Sequence, residues 1–308
     1  MLYRENRVFG KVSAVSFGGA SLSGEGGGYG FGNMSENEAE CLLKAALDLG
    51  ITLFDSAPIY GFGLSEERMG KYLPKEATII TKGGVDWHST KRVNMSNDPK
   101  IMEKMLVESL KRLKRDHLDI YMIHWPDAKV DIRRPMEVLA SYQSKGYINK
   151  LGLCNTNLLD LKLAEEIAPI EVIQSELNLF NTKPFDDLES KWKEKLSMSW
   201  GTFDKGILSG RVTQERKFDA SDARSWAPWW NKKEVQKKVQ RVQELQVILQ
   251  DYRISLVNFC FHFNLHYFGV DTALIGFKKP EDIVQVTSNL HQNISNEIIK
   301  EVLDRWPK

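Results

Sequence analysis

Cysteine is scarce in this chain. Its 308 residues hold three, Cys41, Cys154 and Cys260, an odd and widely spaced set that argues against a disulfide framework and against any Cys-x-x-Cys metal or redox motif. A reducing, cytoplasmic setting is the expectation. Long apolar runs are missing too: none approaches the roughly 20 residues that span a bilayer, so a soluble protein is expected. Basic residues ahead of Val12–Ala20 have the layout of a short signal peptide, but that stretch carries glycine, lacks a leucine run and leads into a glycine-rich loop. A first core strand is the better reading. Nor does one sign of charge prevail. Lysine plus arginine number 42 against 41 aspartate plus glutamate, a net +1, which provides no field to draw nucleic acid or an anionic membrane. A small-molecule partner follows.

Phosphate-binding fingerprints are also absent. G-x-G-x-x-G fails at its last glycine wherever it starts, where Tyr29, Phe31, Asn33, Ser35 and Glu66 stand, and no Walker motif occurs. A doubly wound nucleotide fold loses its main support. His262 and His266 have the four-residue spacing of a metal pair, but no Glu follows His262 as HExxH requires, and aromatic neighbours point to core packing. No metal is expected.

What is present is alternation. Eight short apolar or β-branched runs, 12–20, 51–57, 77–82, 118–124, 150–155, 172–177, 196–201 and 272–276, alternate with longer stretches. Among these, 36–49, 99–113, 133–145 and 158–167 are amphipathic with three- and four-residue steps. Alternating strand and helix predicts parallel βαβ units, and eight of them predict an α/β fold closed as a (β/α)8 barrel, one domain over 1–308. Gly24–Gly32 reads as a loop. After the seventh strand a polar insertion at 211–231, part of a longer loop over about 202–231, carries Trp226, Trp229 and Trp230; loops this long are usually functional lids or disordered.

In such a barrel the chemistry gathers at the carboxyl ends of the strands. Asp55 ends the second run, with Tyr60 five residues on; Lys82 ends the third, His124 the fourth, Asn155 the fifth, and Trp200 lies in the seventh. Singly, each has an ordinary role, as a turn former, a packing aromatic or a core histidine. Together on one rim they compose an acid: an ammonium lowers a phenol's pKa from its usual value of about 10, a carboxylate holds the ammonium, and an imidazole polarises a substrate oxygen. A proton donor facing a carbonyl needs hydride, and no side chain supplies it, so a nicotinamide cofactor is implied.

These residues resemble a known family. Ala46–Tyr72, ALDLGITLFDSAPIYGFGLSEERMGKY, is similar to the aldo-keto reductase signature, and LDIYMIHWPD from Leu118, GLCNTN from Gly152, MSWGTFDKGILSG from Met198 and IGFKKPED from Ile275 continue the likeness over nearly the whole chain. The resemblance implies a barrel that reduces aldehydes or ketones with NADPH or NADH. It implies Asp55, Tyr60, Lys82 and His124 as the catalytic four. As cofactor contacts it implies Gly19 and Ala20, Cys154, Asn155 and Gln174 at the carboxamide, Trp200 stacked on the nicotinamide ring, and the segment Gly276, Phe277, Lys278, Lys279 and Asp282. Cys154 stands where a serine is usual, Thr202 where a proline is, and Asp282 and Val286 where glutamine and asparagine are. Lys278 and Lys279 favour NADPH through a 2'-phosphate, against Asp282, whose carboxylate favours a free ribose hydroxyl. Trp87 and Trp125, after the third and fourth strands, are the substrate-wall candidates, suited to aryl aldehydes or sugars. Arg224 either meets an anionic substrate or pairs with Asp222. Two rivals are a cofactor-binding redox sensor with little turnover, and a lyase or isomerase using Lys82 as a Schiff base.

Overall fold

The structure is a computed structural model that describes residues 1–24, 30–290 and 292–306. Most of the glycine run expected as a loop, 25–29, lies outside the described residues. Eight parallel strands close a barrel: β1 (Val15–Gly18), β2 (Leu53–Asp55), β3 (Thr78–Gly83), β4 (Leu118–Ile123), β5 (Ile148–Cys154), β6 (Val172–Glu176), β7 (Leu196–Trp200) and β8 (Thr272–Ile275). Each pairs with the next, and β8 returns to β1 through Ala273↔Val15 to Ile275↔Phe17. All eight expected runs hold a barrel strand.

The first run does two jobs. Its start belongs to an antiparallel hairpin, Tyr3–Asn6 with Gly10–Ser13, and its middle to β1, with the break at Ala14, whose amide donates to the Leu2 carbonyl. Val12, from the hairpin, joins Leu53, Ile80, Ile120, Met122, Val172, Leu196 and Met198 in a separate buried cluster inside the barrel. The hairpin thus caps the amino-terminal end, with Val12 and the partly buried Phe9 packed on the apolar side chains inside the barrel.

That inner cluster decides where the site forms. Successive strand residues point to opposite faces. Two residues beyond Leu53, Ile80, Met122, Val172 and Met198 come Asp55, Lys82, His124, Gln174 and Trp200. The polar residues therefore continue the inward face one step above an apolar layer, at the carboxyl end of the barrel.

Helices ring the outside, among them Glu36–Asp48, Pro99–Leu113, Arg133–Ser144 and Leu158–Glu165, each within two residues of its expected bounds. Three of these starts are capped by side chains, Ser35, Asp98 and Asn157, with Ser35 and Glu38 forming a reciprocal capping box at the first; Ile132, ahead of Arg133–Ser144, makes no such bond. No helix among the described residues is long and apolar enough to cross a membrane. The insertion after β7 contains only 3-10 turns, at Asp204–Ser209 and Ala223–Ser225. It reaches past β8 to the end of the glycine loop that follows β1, where Phe31 bridges Asp222 and the Ala223 amide donates to the Gly30 carbonyl at 3.0 Å.

Candidate active site

Asp55 and Lys82 form the floor of the site. The Lys82 ammonium lies 2.6 and 2.7 Å from the two Asp55 oxygens and 2.9 Å from the Ser56 carbonyl, with both side chains fully buried. Gln174 Nε2 donates to Asp55 Oδ2 at 2.8 Å. Every partner of this carboxyl is a donor, which suits the ionised form. Burial works to raise the Asp55 pKa against the pull of Lys82. For Lys82 burial works downward, and Asp55 foremost outweighs it, so the ammonium is held above its ordinary range.

Tyr60 follows β2 in a turn and presents its ring to both neighbours. The Lys82 ammonium is 5.5 Å from the ring centroid, and the His124 ring meets it edge-on at 5.9 Å and 89°. The acidity expected from an adjacent ammonium is not what the site produces. Burial dominates and pushes the phenol up to about 12, with Lys82 opposing only in part. In a low-dielectric pocket the cost of forming phenolate exceeds the ammonium's attraction. His124 is buried and its pKa falls well below the ordinary histidine value, first through burial and then through Lys82, so the imidazole is neutral.

A second group joins the ends of β5, β6 and β7. Trp200 Nε1 donates to Asn155 Oδ1 at 3.0 Å, and Asn155 Nδ2 lies 3.1 Å from both the His124 carbonyl and the Cys154 sulfur. The Cys154 thiol, pushed up to about 12 by burial, donates to Gln174 Oε1 at 3.3 Å. Asn155 adopts a positive φ of 54°, a conformation Asn tolerates better than most residues. Hydrogen bonds thus run from Trp200 through Asn155, Cys154 and Gln174 to Asp55 and Lys82.

The remaining expected contacts are placed less uniformly. Gly19 is buried, and a Cβ there would lie 2.5 Å from the Asp55 carbonyl oxygen and 2.7 Å from Ser65 Oγ, so close packing already requires the glycine. Ala20 is partly exposed beside it and Gly276 is exposed. The Phe277 side chain is turned into the core against Phe17, with 1% exposure, leaving only its backbone for a ligand. Lys278 spends its ammonium on the Ser21 and Gly32 carbonyls at 3.2 and 3.0 Å, and burial lowers it to about 8. Lys279 is exposed. The Asp282 carboxylate is paired with Arg211 at 2.9 Å, and Arg211 also reaches Gln285.

Trp87 belongs to a hairpin, Val85–Trp87 with Val93–Met95, and packs edge-on against Phe62 at 5.4 Å, in the cluster that holds Tyr60. Trp125 is 40% exposed. In the long loop Trp229 and Trp200 share the Lys205 ammonium, at 5.7 and 6.0 Å, while Trp230 packs on Phe218. Arg224 pairs with Asp222 through two nitrogens, donates to the Lys205 carbonyl and lies 4.0 Å over the Phe218 ring, which makes it an organiser of this loop. His262 and His266 stack at 4.7 Å, and the described residues contain no group of three or more potential ligands arranged for a metal.

Two residues of the quoted signature do structural work that their sequence positions do not announce. Ser65 Oγ donates to the Gly19 carbonyl and receives a bond from Ser56. Glu66, fully buried, accepts from Thr81 on β3 and from Arg112, clamping the helix Leu64–Tyr72 to the barrel next to the Tyr60 turn.

A closed eight-stranded barrel with a tyrosine, a lysine–aspartate pair and a histidine at its carboxyl end defines a class in which carbonyl reduction depends on a nicotinamide cofactor. The sequence model of the Aldo/keto reductase family matches residues 14–304, and the chain belongs to that family. It is 30% identical over 284 residues to the aldo-keto reductase YhdN of Bacillus subtilis, covering 90% of this chain and 86% of that one. The NADH-specific methylglyoxal reductase of Escherichia coli is 24% identical over 265 residues, 80% of this chain and 81% of its own. Among solved structures, the glycerol dehydrogenase AKR11B4 from Gluconobacter oxydans superimposes with a TM-score of 0.83 at 28% identity, covering 98% of this chain and 94% of that one.

Proposed function

We propose that this protein reversibly reduces an aldehyde or ketone, with Tyr60 as the proton donor and NADPH as the preferred cofactor. The observation that carries this reading is the convergence of Tyr60, the Lys82–Asp55 pair and neutral His124 at one end of the barrel. The groups beside them fit a nicotinamide: two primary amides, Asn155 and Gln174, and the partly exposed ring of Trp200. When bound, the reduced nicotinamide supplies the hydride that no side chain can.

The chain's own groups do the rest. Neutral His124 can donate an N–H to the carbonyl oxygen, where negative charge develops. Tyr60, still protonated because burial holds its pKa near 12, hands its proton to that oxygen. Lys82 then stabilises the phenolate, and Asp55 holds Lys82 charged and in place. With Arg211 neutralising Asp282, exposed Lys279 is the cation left to meet a 2'-phosphate. Trp87, Trp125 and Trp229 suit a substrate with a planar or sugar-like apolar face. One relative is named as NADH-specific, so both cofactors enter the test.

The test is the initial rate of NADPH and NADH oxidation with aryl aldehydes, aldoses, ketones and small dicarbonyls, for wild type and Tyr60→Phe. Turnover that collapses in the variant while cofactor still binds is the expected result. Undiminished turnover in Tyr60→Phe would remove Tyr60 from the role, and cofactor binding without turnover on any carbonyl would remove the reductase reading.

A further inference from the structure

We propose that Asn264 is a positioning residue for the site: its amide, reaching in from the helical layer outside the barrel, sets the orientation of Trp200. The proposal rests on the reading of Trp200 as the face that meets the nicotinamide, but its first test needs no cofactor.

Asn264 lies on a single π-helical turn, Phe263–Phe268, that continues the helix Leu256–His262. Such turns are rare and redirect the side chains they carry. Asn264 is fully buried, and its Nδ2 lies 2.9 Å from the Leu177 carbonyl, 3.1 Å from Ser199 Oγ and 3.1 Å from Thr202 Oγ1. Leu177 follows β6; Ser199 and Thr202 flank Trp200–Gly201 at the end of β7. By strand alternation Ser199 faces outward where Trp200 faces inward, so holding Ser199 from outside fixes the direction in which the indole leaves the strand. Two further bonds tighten the same place, from the Leu177 amide to the Trp200 carbonyl at 3.1 Å and from Asn178 Nδ2 to the Gly201 carbonyl at 3.1 Å.

Two details separate positioning from mere packing. A carbonyl only accepts, so Leu177 dictates that the amide nitrogen faces the strands, and Asn264 Oδ1 is left buried without a partner among the described residues. That orphan acceptor costs stability, which an apolar side chain would avoid. Thr202 stands where the resemblance has proline, and proline has no hydroxyl to accept this bond. The turn after Trp200 is therefore held through a side chain contributed 62 positions later.

The experiment labels the full chain with 5-fluorotryptophan, assigns the Trp200 resonance with Trp200→Phe, and compares wild type with Asn264→Leu and Thr202→Val without cofactor. The Trp200 resonance should shift or split in both variants while those of Trp87 and Trp125 hold. Dissociation constants for NADPH and NADH should then rise about five- to tenfold in Asn264→Leu, the scale of one lost hydrogen bond, with kcat changing less. An unmoved Trp200 resonance alongside a lower melting temperature would mark Asn264 as structural only and overturn the proposal. Thr202→Val decides the matter if Asn264→Leu does not fold. A moved resonance with unchanged cofactor binding would sustain the positioning and overturn the assignment of Trp200 to the nicotinamide.

Discussion

Lys82 places its ammonium 2.6 and 2.7 Å from the two carboxylate oxygens of Asp55, and both side chains are shut off from solvent. A pair this deep is held by mutual dependence. Each charge would be costly alone, and each makes the other tolerable.

Asp55→Asn should therefore harm the fold and the chemistry together. Removing one partner of a buried pair costs about 3–5 kcal/mol, visible as a lower urea midpoint, and turnover should fall by orders of magnitude because Lys82 is no longer held charged. A variant with wild-type stability would show that the ammonium finds another partner.

The pH dependence follows from two opposite shifts. Tyr60 is raised from about 10 to about 12, so the folded state holds this proton more tightly than the unfolded chain; the stabilisation is complete below pH 10 and fades between 10 and about 12. His124 is shifted the other way. The unfolded chain takes up a proton near pH 6.5 that the folded site refuses, so stability declines as pH falls below 6.5. Reduction should stay level between about pH 7 and 9, since both groups keep their working forms there. A steep loss of reductive kcat centred near neutrality would mean that the phenol is far more acidic than its burial allows.

Cofactor choice should respond to exposed groups. Lys279→Ala should weaken NADPH relative to NADH by about two- to fivefold, the scale of one exposed ion pair, and the difference should shrink in high salt. Arg211→Ala unmasks Asp282 and should move the ratio of dissociation constants the same way. Fluorescence titration with both cofactors reads each ratio directly.

Gly19→Ala tests whether that glycine is needed before any ligand arrives. Its Cβ would lie 2.5 Å from the Asp55 carbonyl oxygen and 2.8 Å from Met69 Cε, and overpacking of this kind costs about 1–3 kcal/mol. Denaturation without cofactor should show the loss; unchanged stability would leave cofactor approach as the reason for the glycine.

By itself the sequence determined the barrel and the identity of its polar rim. The alternation of short β-branched runs with amphipathic helices is a local periodicity, and the parity that sends Ile80 into the inner layer sends Lys82 there as well. What it left open depends on residues far apart in the chain. The Val12–Ala20 run had to be divided between a plug and a strand, which only the need to close the barrel's amino-terminal end decides. Lys278 is a cation in the sequence and a loop staple in the fold, because two backbone carbonyls lie within its reach. Tyr60 reads as an acidified phenol until the tertiary structure removes the water around it; solvation then outweighs the neighbouring charge and the proton stays. Asn264 carries no local signal, since its meaning comes from the strand ends it touches. Periodicity is written in neighbouring residues, whereas dielectric and hydrogen-bond partners are properties of the assembled fold.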